Sequence, residues 1–152
     1  MSAKKKMLKK AALLLAVIGM VLTLAMALSS CITIKINAVK GSGQMATEEF
    51  DVSGFSRLTF SGIGKIILTQ GESESLKITA EENIIDAMDI AVRGNTLNIG
   101  LKKNYINFVP TREILIYLSV VELEKIDLSG AGIIECDGLQ TGNLSISSSG
   151  IG

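Results

Sequence analysis

Four carboxylates come in pairs two residues apart, Glu122/Glu124 and Glu135/Asp137. On an extended chain such residues face the same way, with Cα atoms ~6.5–7 Å apart. Two carboxyl groups so placed are compatible with acid and base work on a glycosidic bond. Alternating acidic residues on a solvent-facing strand give the same spacing, and nothing nearby signals a raised pKa. Solvation and edge protection are therefore the simpler expectation. The 152 residues include no His and only two Cys, at 31 and 136, so Ser-His-Asp triads, Cys-His pairs and His-based zinc sites are excluded. The acidic residues follow neither EF-hand spacing nor a calcium-binding nonapeptide, and no metal or cofactor is expected. Cys136, in the run IIEC, reads as a small buried hydrophobe with no basic neighbour in sequence to activate its thiol.

Two other features could bind. Lys102-Lys103-Asn104-Tyr105-Ile106-Asn107-Phe108 is the most distinctive polar-aromatic patch. Tyr105 and Phe108 could stack a sugar or seat a partner, or they could close over the core beside Pro110. Leu28-Ser29-Ser30-Cys31 is similar to the lipobox of bacterial lipoproteins, which makes Cys31 the candidate lipid-attachment residue.

Cys31 ends a stretch whose composition sets it apart. Lys4, Lys5, Lys6, Lys9 and Lys10 precede an uncharged run that continues to Ile34. Its apolar heart, Ala11 to Leu28, would span about 27 Å as a helix, close to the ~30 Å hydrocarbon core of a bilayer. Basic residues before an apolar run suit a secretory signal or anchor, with the Lys cluster left in the cytoplasm. A lipoprotein signal, an uncleaved single-pass anchor and an ordinary cleaved signal all remain open. Residues 1–30 are thus expected to be a hydrophobic signal or anchor helix that places the rest outside the cytoplasm. From Cys31 onward ten basic residues face fifteen acidic ones, a net charge of −5. That sign disfavours nucleic-acid binding.

The elements that must position these residues are short strands. Residues 31–47 read as a linker with Gly41-Ser42-Gly43 inside it. Period-two alternation predicts strands over 57–60, 65–70, 76–80, 89–92, 96–101, 113–119, 125–128, 133–136 and 143–147. Only 81–88 (EENIIDAM) looks helical. Ser-Gly-X-Gly recurs at 61–64, 129–132 and 149–152, the last two 20 residues apart. A period near 20 with small residues at each corner suits an all-β, β-helix-like solenoid of Gly-cornered strands, although hairpin turns in a sandwich would also use Ser-Gly pairs.

The ordered combination of GSG (41–43), TEEFDVSGFSRLTFSGIG (47–64), LTQGESESLKITAEEN (68–83), NTLNIGLKK (95–103), VELEKIDLSGAG (121–132) and the closing SSSGIG resembles the head GIN domain of auto-transporter adhesins. The resemblance implies a β-solenoid over 48–152, displayed outside bacterial cells and often attached by a lipoprotein or membrane segment. It carries no catalytic motif. Family members tend to have Pro where this chain has Val121, and they continue for several further coils. The domain is accordingly expected to be incomplete at its C-terminus.

The sequence therefore predicts a non-enzymatic cell-envelope module. It would be tethered to the membrane through an anchor or lipidated Cys31, with a cell-surface polymer or protein as partner. The alternative is a polysaccharide-acting enzyme using the paired carboxylates.

Overall fold

The computed structural model describes residues 38–151. The hydrophobic signal or anchor segment and Cys31 lie outside the described residues. Twelve strands and one short helix follow in order. They are β1 (Ala38–Lys40), β2 (Met45–Phe50), β3 (Arg57–Phe60), β4 (Ile63–Gln70), β5 (Ser75–Glu81), α1 (Glu82–Ile85), β6 (Met88–Arg93), β7 (Thr96–Leu101), β8 (Asn107–Val109), β9 (Leu115–Val120), β10 (Lys125–Leu128), β11 (Ala131–Cys136) and β12 (Ser145–Ser148). The described chain is all-β apart from α1.

Ten strands form two five-stranded sheets, β12-β10-β3-β7-β6 and β11-β4-β9-β5-β2. In each sheet the leading strands are parallel, and the far end is closed by antiparallel partners, β6 in the first and β5 with β2 in the second. The chain passes from one sheet to the other at each Ser-Gly corner: β3 turns into β4 and β10 into β11. The next layer repeats the path, from β12 to a bridge between Ile151 and Ala131. These corners close no hairpins, because the strands on either side belong to different sheets. The turn that does close a hairpin is Gly94-Asn95, between β6 and β7, where Gly94 has φ +62°.

The corners stack on one another through the backbone. The Ser129 amide donates to the Phe60 carbonyl and that of Ser149 to Leu128; the Ala131 and Ile151 amides donate to the carbonyls of Gly62 and Gly130. Close approach explains the glycines. A Cβ on Gly150 would stand 1.9 Å from the Gly130 oxygen, and a Cβ on Gly132 would stand 2.6 Å from the Phe60 ring. Only hydrogen fits at these sites.

Apolar rows line the interior in register. Ile126, Leu58 and Leu97 pair across the first sheet, and Ile134, Ile66, Ile116 and Ile78 across the second. Leu58, Ile66, Ile78, Leu97 and Ile116 are fully buried. Alternation places these side chains inward on every strand, so each layer adds to one continuous core.

Two expectations change. Residues 38–47, assigned to a linker, carry β1 and the start of β2. Val39 is buried and β1 pairs in parallel with β8, while β2 covers β5. Cys136 is exposed, not buried. It has the inward parity of its neighbour Leu68, but it ends a strand at the sheet edge.

Candidate functional site

The outward face of the second sheet brings together a row of side chains by register alone. Glu49 on β2 lies opposite Lys77 on β5, Lys77 opposite Tyr117 on β9, Tyr117 opposite Ile67 on β4, and Ile67 opposite Glu135 on β11. Tyr117 faces out because Ile116 and Leu118 on either side of it face in, each almost fully buried. The Lys77 ammonium sits 5.4 Å from the centroid of the Tyr117 ring, within the range of cation–π attraction. Beside the ring opens a cleft of about 310 Å³, whose walls include Glu49, Asp51, Thr69, Ser75, Lys77 and Tyr117.

The cleft walls are tied in place. Glu74 accepts hydrogen bonds from the amides of Gly54 (2.6 Å) and Phe55 (3.1 Å), fixing the loop before β3 to the start of β5. The Ser119 hydroxyl donates to the Ser73 carbonyl at 2.8 Å. By contrast, no side-chain hydrogen bond or ion pair among the described residues engages Glu49, Asp51, Thr69, Ser75 or the Tyr117 hydroxyl. Hydrogen-bonding capacity thus converges around an aromatic ring. Sequence reasoning missed this site, although the alternation ILIYLSV (114–120) already places Tyr117 among inward aliphatics.

The carboxylate pairs have other engagements. Glu135 Oε1 lies 2.7 Å from Lys65 Nζ. That hydrogen bond, reinforced by the attraction of the carboxylate, raises the Lys65 pKa above its usual 10.5 against the opposing effect of burial. Asp137 follows β11 and does not extend its alternation. Glu124 closes a short ladder of strand-entry residues: the Asn95 amide donates to Ser56 Oγ at 2.8 Å, and Ser56 Oγ donates to Glu124 Oε2 at 3.0 Å. Glu122 and Glu124 lie in the connection between β9 and β10 rather than on a strand.

Phe108 is 1% exposed and lies inside the core, so its ring presents no surface. Tyr105 is half-buried and packs against the same core. The structure thus encloses the Phe108 ring, and neither residue lines the cleft beside Tyr117.

One carboxylate is buried. Glu81, 1% exposed at the end of β5, accepts from the Thr111 hydroxyl (2.6 Å), the Thr111 amide (2.8 Å), the Gly43 amide (2.6 Å) and more distantly the Arg112 amide. The Thr111 hydroxyl leads in holding its pKa below the usual 4.5, against the opposing effect of burial, with the three amides adding to it. Glu81 joins the β1–β2 turn to the segment before β9, and every acceptor position is used for structure.

Residues 54–152 match the model of a family described as "Putative auto-transporter adhesin, head GIN domain". The chain belongs to this family. The GIN domain's fold is also that of solved structures. A "putative adhesin" from Bacteroides fragilis is 27% identical with a TM-score of 0.69, over 75% of this chain and 53% of that one. A "putative lipid binding protein" from Parabacteroides distasonis is 24% identical with a TM-score of 0.66, over 74% and 49%. A "putative adhesin" from Parabacteroides merdae is 20% identical with a TM-score of 0.64, over 74% and 47%. The chain spans about half the length of each of these structures. No curated protein matches it.

Proposed function

We propose that this GIN domain is a non-catalytic contact module of the bacterial cell surface: a β-solenoid head held outside the cytoplasm by residues 1–30 or by a lipid on Cys31. Its head begins at β1 and continues through the stacked Ser-Gly layers, with adhesion to a cell-surface polymer or protein as its task. The observation that carries the reading is the outward face around Tyr117, where unengaged polar side chains gather beside an exposed aromatic ring. Membership in an adhesin head family supports the same assignment. Glu135 is engaged by Lys65 and Glu124 by Ser56, and Glu122 and Glu124 lie in a connection rather than on one strand face, which weighs against the two pairs as acid and base.

Adhesion of cells displaying the full-length chain to polysaccharide- and protein-coated surfaces tests this directly. Retention above that of cells lacking the chain is expected, and equal retention overturns the reading. Intact mass of the membrane fraction tests the tether, with a diacylated Cys31 terminus or an uncleaved N-terminus expected. Glycan cleavage that is present in wild type and lost in Glu135→Gln would replace adhesion with an enzymatic role.

A further inference from the structure

We infer that the cleft beside Tyr117 is a saccharide-binding site for neutral or amino-bearing pyranose units. The inference rests on the adhesion reading above and supplies its ligand class. A pyranose has an apolar C–H face and a rim of hydroxyls. The cleft offers the complement, a Tyr117 ring 37% exposed with donors and acceptors around it. Lys77, whose ammonium lies over one face of the ring, brings three N–H donors beside it, so the sugar meets the ring's other face or its edge. The hydroxyls of Thr69 and Ser75 donate or accept, and the carboxylates of Glu49 and Asp51 accept from two hydroxyls or one ammonium.

Size and charge narrow the ligand. A volume of about 310 Å³ sits at the small end of ligand pockets, which run to roughly 300–1,000 Å³, and suits one or two sugar rings. Of the apolar side chains lining the cleft, Val52, Leu76 and Leu118 are buried, which leaves Phe50, Ile67 and Tyr117, too few to form the desolvated centre of a protein interface. Three carboxylates, Glu49, Asp51 and Glu74, line the cleft against the single ammonium of Lys77. That excess repels uronates and sialic acids and favours an amino sugar over a neutral one.

Titration calorimetry of the full-length chain with a glucosamine tetrasaccharide, a neutral glucose tetrasaccharide and an oligogalacturonate provides the test. Saturable binding of the first two, the amino sugar tighter, and none of the third are expected. Tyr117→Ala should weaken binding about tenfold, the equivalent of one aromatic contact. Tyr105→Ala should leave it unchanged. Thr69→Arg fills the cleft from an exposed position without removing the aromatic ring, and should abolish binding with an unaltered melting temperature. Binding of the oligogalacturonate in preference, or sugar binding that survives both cleft substitutions, overturns the inference. If displaying cells adhere yet none of the sugars binds, the saccharide site is wrong while adhesion stands. If neither adhesion nor sugar binding is found, both readings fall.

Discussion

Gly130 lies directly against Gly62: a Cβ built on Gly130 would stand 2.1 Å from the Gly62 carbonyl oxygen and 2.9 Å from its nitrogen. Backbone meets backbone here, so no flexible side chain can move aside. Gly130→Ala should destabilise the domain by about 3 kcal/mol or more, the upper range for overpacking. Gly142→Ala is the matched control, because its Cβ would meet nothing within 4 Å and its φ is ordinary. Its effect should stay within about 0.5 kcal/mol. Urea midpoints of the two variants measure the contrast, and equal shifts would remove the close-packed corner as the cause.

Glu81 gives stability a specific acid dependence. Its pKa is lowered on folding, so its contribution is fully present above the ordinary value of 4.5 and is lost as pH falls through the depressed folded value. Glu81→Gln should lower the melting temperature at pH 7, because the Thr111 and Gly43 amides lose a charged acceptor. The gap between variant and wild type should close as the pH drops below 4.5. Thermal melts from pH 7 to pH 2 check both the sign and the window.

Lys65 behaves in the opposite sense. Its pKa is raised by Glu135, so the contribution of the pair is present below pH 10.5 and disappears as pH rises through the raised value. In Glu135→Gln the Lys65 titration should move back toward 10.5, as followed by NMR of the side-chain ammonium. Glu135 is exposed and Lys65 half-buried, so solvent screens the pair and the urea midpoint at pH 7 should change little.

Cys136 is exposed and free. Iodoacetamide should therefore alkylate the peptide containing it in the native protein at a rate close to that in urea. Peptide mapping by mass spectrometry resolves this peptide from any containing Cys31. Protection of more than about a hundredfold without denaturant would mean that the thiol lies behind a local opening of the fold.

Period-two alternation made much of this fold legible in advance. The strands over 57–60, 96–101 and 125–128 stand where alternation puts them, and α1 falls within the predicted 81–88. The spacing of 20 between the last two Ser-Gly corners reappears as the register of β10 on β12, Lys125 opposite Ser145 through Leu128 opposite Ser148. The corner at 61 obeys no such spacing, since it stacks on the corner at 129, 68 residues away. That neighbour is chosen by contacts such as Phe60 beneath Gly132, and no local pattern encodes them. β1 and β8 escaped notice because each is three residues long with a single buried side chain. β2 escaped because it is a largely exposed edge strand. The row through Tyr117 depends on register across five strands, so its members lie far apart in sequence and no motif announces them.

The succession of Ser-Gly corners has an evolutionary corollary. The corners at 129 and 149 each hang on the corner beneath through the same pair of amide-to-carbonyl links. Duplicating some twenty residues would add one more storey, lengthening the molecule by about 4.8 Å while leaving the recognition face of every existing storey untouched. Reach and specificity can then diverge independently within such a lineage.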